Sequence, residues 1–501
     1  MRTLAIPLML AQFAQAIYTV LDAIFVGQVF PLQSAATMYS LSIAQYFPLG
    51  FGIAIAMGGN SVIAGHIGKR SFRDAERSAA TMIQLGFIAT ACYMIIILPS
   101  LDKLLPILGT TDETFDYARR YCNIVIGGMI LLVVANILMN ILIAQGFSGY
   151  SSIASVCGIL TNLIIDPSIV IGGRDGILGS AVSILAGNTM VILICLPRFL
   201  PGKYRIPIHI KVKDLFKWNS AIVKEIISYA FGVFFMFFAY GLVITMINHN
   251  ITKFASSPLE AEAVAATIGT VDMLLYIFFS LSSGITISFM TAGSFAYQAK
   301  MTRRARKLAW LSIKWSTYVL IFGSVVFTAF AKWWPYVFYG KNDAIDEAFR
   351  AACTKQLYIM APSRSIVSIT FLAFAIFQGA GMMGMAAVQG ALRQIILLIP
   401  CIYIFAYTLK KPIYISISYP VSDIGATIIA WVTLYIYRDR VFLTKRSVSG
   451  PLMLGGEDVD TVTVENDNNE VVVDTDEIRS DVSVGDDTVL EQEVLSAKTE
   501  N

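Results

Sequence analysis

The feature that most constrains this chain is a succession of apolar runs, each twenty or more residues long, separated by short charged links. At ~1.5 Å of rise per helical residue, such a run crosses the ~30 Å hydrocarbon layer of a bilayer. A soluble core has no use for so many. Charged residues are 14% of the sequence and apolar residues 56%, whereas soluble domains carry about 25% charged residues. Lipid supplies no partners for backbone polar groups, so only helices or closed barrels span it. Runs of this length exceed a barrel strand. The chain is therefore read as an all-α membrane protein of the transporter kind, and not as an enzyme.

Hydropathy places twelve transmembrane helices near 4–29, 38–67, 77–98, 118–146, 150–172, 178–200, 226–250, 263–298, 308–331, 352–379, 384–409 and 415–437. The first follows Arg2 directly and reaches Gly27. That is too long for a signal-peptide core, so it is expected to remain as an anchor. Lysine and arginine then orient the spans. Lys69, Arg70, Arg73 and Arg77 follow the second span, and seven bases from Arg198 to Lys224 follow the sixth. Lys300, Arg303, Arg304, Arg306 and Lys307 follow the eighth, and Arg438, Arg440, Lys445 and Arg446 follow the twelfth. Every basic link follows an even-numbered span, which predicts that both termini are cytoplasmic.

This divides the chain into an N-terminal six-helix lobe (1–200), a cytoplasmic linker (201–225), a C-terminal six-helix lobe (226–440) and a tail (441–501). Residues 451–501 hold 15 acids and 2 bases, net −13, against 19 acids and 35 bases, net +16, in the other 450. The tail has no amphipathic period and is read as acidic and disordered. The basic body suits contact with anionic lipid. Its bases lie in links and form no stripe, so no nucleic-acid partner is expected. The six cysteines sit in or beside apolar spans without metal-site or disulfide spacing, so they are read as small buried hydrophobes.

The two lobes are internally alike. A shift of about 230 residues lays Arg73-Asp74-Ala75 on Arg303-Arg304-Ala305, and one of 233 lays Ala144-Gln145-Gly146 on Phe377-Gln378-Gly379 and Pro167 on Pro400. Gly109 and Gly340 also correspond. The repeats run in the same sense, so they are pseudo-symmetric about an axis along the membrane normal, with a cleft between them.

Ionisable groups inside a membrane are costly and become functional candidates. Asp22 and Asp166 lie ~27 Å and ~24 Å along spans entered from the same side. Asn162 is one turn before Asp166 on its face, Gln15 is seven residues before Asp22, and Tyr121 enters the fourth span near that depth. Such a group can share a proton, or hold Na⁺ through the oxygens of Asp22, Asp166 and Asn162. The competing reading is a structural carboxylate pair near the outer interface. Arg364, Arg393 and Asp272 are read first as interhelical hydrogen-bonding groups, with Arg393 carried as a substrate-cavity candidate. Asp423 is given less weight, and His66 is read as a polar helix cap.

Several motifs resemble one family. They are Ile6-Pro7-Leu8, Leu21-Asp22-Ala23-Ile24-Phe25-Val26-Gly27, Ala144-Gln145-Gly146, Asn162-Leu163-Ile164-Ile165-Asp166-Pro167, Ser294-Phe295-Ala296-Tyr297-Gln298-Ala299-Lys300 and Leu392-Arg393-Gln394. In order, spacing and duplication they resemble the multidrug and toxic compound extrusion (MATE) family from Ile6 to about Tyr437. The seventh span has no carboxylate and the tenth carries Arg364, which resembles the DinF-like branch. The resemblance implies ion coupling through Asp22 and Asp166, with Asn162 and Tyr121 in the same cavity. It also implies a cavity asparagine matching Asn140, with Asn136 close by.

The resulting expectation is a monomeric plasma-membrane antiporter, without a cofactor, that exports small organic solutes against protons or sodium ions. The alternatives are a lipid-linked oligosaccharide flippase and a non-transporting membrane scaffold.

Overall fold

The structure is a computed structural model that describes residues 2–29, 47–107, 112–172, 176–200, 208, 210, 212–334, 347–441, 461–466 and 469–474. Among them, eleven helical segments are long and apolar enough to cross a membrane, and a bent pair supplies the twelfth. The expected count is therefore met.

In the first half the spans are Arg2–Val29, Phe47–Gly68 and Phe72–Ile97, then the bent fourth span, Ser148–Gly172 and Gly176–Cys195. The fourth consists of Asp112–Gly127 and Met129–Ala144 and bends by 44°. The bend falls at Gly127-Gly128, where paired glycines weaken the helix. Gly128 also leaves room for Leu185 of the sixth span.

The second half begins with Ser220–Phe254, Pro258–Gln298 and Thr302–Ala329. The tenth span is broken between Glu347–Arg364 and Ser368–Gly379. The eleventh runs from Met383–Ala391 through a π-helical turn, Leu392–Leu398, into Ile399–Leu409. Pro400 lacks an N–H and crowds the carbonyl four residues back. The ladder widens just before it, and the Ile399 N–H donates to the Gln394 carbonyl, five residues earlier. The twelfth span is Ser418–Ile436.

The internal repeat appears in the helix ends. After the second span Arg70 has φ 59°, and after the eighth Lys300 has φ 59°. The Ser71 N–H donates to the His66 carbonyl and the Met301 N–H to the Ala296 carbonyl, the same six-residue closure 230 positions apart. After the fourth and tenth spans, Gly146 and Gly381 have φ 89° and 78°. Phe147 closes on Leu142 there, and Met382 on Phe377. This corrects the sequence alignment. Gly146 matches Gly381, not Gly379, because the left-handed cap fixes the register. Gly109 and Gly340 lie outside the described residues.

The spans pack as one unit, Met1–Lys445. The lobes meet where the first span packs on the eighth and the second on the seventh and eighth. The described part of the linker lies on the N-terminal lobe. Gln145 Oε1 accepts from the Ile208 N–H at 3.1 Å, and Gln84 donates to the Leu215 carbonyl at 2.6 Å.

Arg446–Asn501 forms a separate unit. Its described residues form an antiparallel pair, Thr461–Asn466 with Asn469–Asp474. These residues lie in the tail that the sequence reads as acidic and disordered. Alternating Thr and Val favour a strand, and Val462 and Val464 pair with Val473 and Val471.

Candidate functional site

Asp166 stands in the fifth span with 2% of its surface exposed. One turn earlier, the Asn162 side chain fits against Gly187 of the sixth span, where any larger residue would collide with it. Its Oδ1 is buried without a hydrogen-bond partner, which is costly for a carboxamide and marks a place suited to a donor or a cation. Tyr121 is 1% exposed, within the apolar core of the N-terminal lobe. Gln15 is half-buried on the first span, and its carbonyl accepts from Thr19 Oγ1 at 2.9 Å. Asp22 is in the same helix, but its side chain lies outside the described residues, so its pairing with Asp166 stands as an expectation.

Asn140 reaches a different place. Its Oδ1 accepts from Asn60 Nδ2 at 3.1 Å, and Asn60 Oδ1 accepts from Thr291 Oγ1 at 3.0 Å. These three buried side chains run from the fourth span through the second into the eighth, so the chain crosses from lobe to lobe. The sequence reading missed Asn60 and Thr291. The available signal was an asparagine inside the Gly-rich second span, where a buried amide must find partners.

His66 also works across the lobes. Its Nε2 lies 3.2 Å from Glu225 Oε2 of the seventh span. That is an interlobe pair where a local cap was expected. Beyond it, Phe51 of the second span meets Phe234 of the seventh at 4.7 Å between ring centroids, and Phe234 stacks on Phe238 at 5.2 Å.

Among the described residues, two ion pairs join different spans of the C-terminal lobe. Arg393 Nε donates to Asp423 Oδ1 at 2.7 Å, and Ser363 Oγ donates to the other oxygen at 3.0 Å. The π-helical turn carries Arg393 into this buried position. Arg364 donates to Asp272 at 2.5 Å, and Tyr240 Oη donates to that carboxylate at 2.7 Å. The Arg364 guanidinium lies 5.2 Å from the Tyr419 ring centroid. These contacts knit the seventh, eighth, tenth, eleventh and twelfth spans. Arg393, carried as a cavity residue, is thus held by a carboxylate. Asp423 deserved more weight, since an arginine and an aspartate in neighbouring spans have strong reason to pair in lipid. Among the described residues no cluster of three His, Cys, Asp or Glu side chains could hold a metal ion.

Two six-helix lobes, joined by buried polar contacts across their interface, have the architecture of a membrane transporter. The chain belongs to the MatE family, whose sequence profile matches residues 7–168 and 234–404. It is 21% identical over 262 residues to a multidrug export protein, MepA, of Staphylococcus aureus (strain MSSA476). A MepA of Staphylococcus haemolyticus (strain JCSC1435) is 20% identical over 282 residues. These alignments cover 52% and 56% of this chain and 57% and 61% of the relatives, so the chain spans little more than half of their length. An outward-facing multidrug resistance MATE family transporter matches with a TM-score of 0.79 and 19% identity, over 88% of this chain and 95% of that one. A transporter of the MOP superfamily from Pyrococcus furiosus matches at 0.78 and 19%, over the same shares. At this identity the likeness is one of fold. Family membership, together with the apolar spans, makes the chain a multi-pass integral membrane protein.

Proposed function

We propose that this protein is a secondary antiporter that exports amphipathic organic solutes, cationic ones above all, in exchange for protons or sodium ions. The observation that carries the reading is Asp166, a carboxylate buried to 2% within a membrane span of a MatE-family chain. An acid so placed is a functional-site candidate by default. Beside it the Asn162 Oδ1 is free to accept. Asp22 completes the ion site in this reading, with Tyr121 at its edge, and Gln15 and Asn140 belong to the solute path. Ion binding shifts the balance between two lobe arrangements, and the solute leaves by alternating access.

The aromatic contacts between Phe51, Phe234 and Phe238 supply faces on which a planar cation can stack. The basic links after even-numbered spans support both termini lying in the cytoplasm; the same reading makes the protein a monomer of the plasma membrane. The absence of a carboxylate between Ile226 and Asn250 of the seventh span suits the DinF-like branch.

The second reading is a flippase for a lipid-linked oligosaccharide, which needs a cationic cleft for a diphosphate. Arg364 and Arg393 are each engaged by a carboxylate, and this favours the antiporter. A scaffold role has only the acidic tail behind it.

The test is purified full-length protein in liposomes loaded with a fluorescent organic cation. An imposed proton or sodium gradient should drive the dye across the membrane. Correctly inserted protein that moves no dye under either gradient would refute the antiporter reading.

A further inference from the structure

The C-terminal lobe carries a groove of about 810 Å³ on its lipid-facing flank, between the ninth span and the tenth and twelfth. Its described cations come from the ninth span. Arg303, Arg306 and Lys307 occupy the first two turns, and Lys314 lies two turns deeper on the same face. Trp310 of the ninth span and Trp431 of the twelfth stand 6.3 Å apart between ring centroids. The buried Ile313 and Ile369 form the base.

Positive links at one end of a membrane protein are ordinary and set its orientation. A groove that combines four cations with two tryptophans goes further. Lys314 is about 18 Å along the helix from Thr302, at ~1.5 Å per residue, so it stands beyond the link itself. Its ammonium lies 5.8 Å from the Tyr318 ring centroid, and its flexible stem lets it reach back toward a headgroup. A free phosphate has no use for the apolar walls, and a neutral lipid has no use for the four charges.

We propose that this groove binds one anionic glycerophospholipid. Its phosphodiester is held by Arg303, Arg306 and Lys307, with Lys314 reaching up to it from below. Its acyl chains lie along Trp310, Trp431 and the isoleucine base. Basic pockets between spans suit such headgroups, because the charge attraction adds to chain burial. This site is separate from the ion and solute path and does not rest on the antiporter reading.

The test uses delipidated full-length protein in detergent, titrated with dioleoyl phosphatidylglycerol or dioleoyl phosphatidylcholine and followed by native mass spectrometry. Wild type should retain one phosphatidylglycerol saturably and in clear preference to phosphatidylcholine. The double substitution Lys307→Gln/Lys314→Gln should weaken that retention roughly tenfold or more. Lys411→Gln, an exposed cation at a link of opposite parity, should leave it unchanged.

Equal retention of the two lipids, or unchanged retention in the double variant, would overturn the proposal. Displacement of the lipid by millimolar inorganic phosphate would also overturn it and assign a phosphate-ion site. If the double variant fails to fold, wild type alone decides. Brominated phosphatidylglycerol should quench its tryptophan fluorescence more than brominated phosphatidylcholine, and Trp310→Phe should remove much of the difference. Equal quenching by both lipids counts against the site.

Discussion

Arg393 and Asp423 form an ion pair at 2.7 Å with side chains 7% and 1% exposed. The pair joins the eleventh and twelfth spans, and Ser363 attaches the tenth. Removing one partner leaves the other charge buried alone, a loss of ~3–5 kcal/mol. Arg393→Gln and Asp423→Asn should therefore each lower the unfolding temperature in detergent sharply. Arg393→Met/Asp423→Leu should do less harm than either single change. Equal damage from all three variants would mean that the ionic interaction is not what matters there.

The helix caps give a second prediction with opposite signs in related places. Arg70 and Lys300 hold left-handed backbone with a Cβ present, and Gly146 and Gly381 hold it without one. Replacing Arg70 or Lys300 with Gly should stabilise by about 0.5–1 kcal/mol, as relief of the Cβ clash exceeds the added chain entropy. Gly146→Ala and Gly381→Ala should destabilise by about 1 kcal/mol. Chemical unfolding of the four variants checks the contrast.

Much of the fold was legible because bilayer thickness fixes span length and charge fixes the links. The breaks were harder to read. Gly127-Gly128 and Pro400 both announce irregular helix, but not that one gives a 44° bend and the other a π-helical turn. The repeat was visible in residue identity, yet its register at Gly381 depends on backbone conformation, which identity does not carry. Site residues were legible one at a time. Asp166, Arg393 and Asp423 stand out as charges in apolar runs, whereas their partners depend on helix rotation. Asn60 and Thr291, being neutral, gave little signal.

Orientation is open to a direct check. A cysteine introduced at Thr302, at the start of the ninth span, should react with a membrane-impermeant maleimide only after the cells are opened. The native cysteines should first be replaced with Ala or Ser. Labelling of intact cells at this position would reverse the assignment drawn from the basic links.

The lobe interface predicts a separation of folding from transport. A Cβ at Gly58 would lie 2.7 Å from the Ala230 backbone nitrogen in the opposite lobe. Gly58→Val cannot be absorbed by a rotamer change, because the atom it meets is backbone. It should insert normally but fail to bring the second and seventh spans together, which a disulfide cross-link between introduced cysteines at these positions' neighbours would report. Asn60→Ala removes at once the bond to Asn140 within the lobe and the bond to Thr291 across the interface. It should weaken the same contact without blocking it, so cross-linking should fall only partly. Wild-type cross-linking and transport in Gly58→Val would show that this contact is not needed in the cycle.

The final prediction concerns coupling. Asp166→Asn keeps the size of the side chain and much of its hydrogen bonding but removes the titratable group. It should insert and unfold much like wild type, yet lose gradient-driven dye movement by roughly an order of magnitude or more. Asp22→Asn should behave the same way if the two acids form one site. Members of one functional unit are not additive, so the double variant should be no worse than either single one. Asn162→Ala leaves Asp166 intact but removes the unpartnered Oδ1. It should raise the ion concentration needed for half-maximal transport more than it lowers the maximal rate. Arg393→Gln should show a stability loss with the ion dependence of its remaining activity unchanged, which separates the structural pair in the C-terminal lobe from the coupling site. If Asp166→Asn transports at the wild-type rate with the wild-type ion dependence, the coupling role fails and the buried carboxylate is structural.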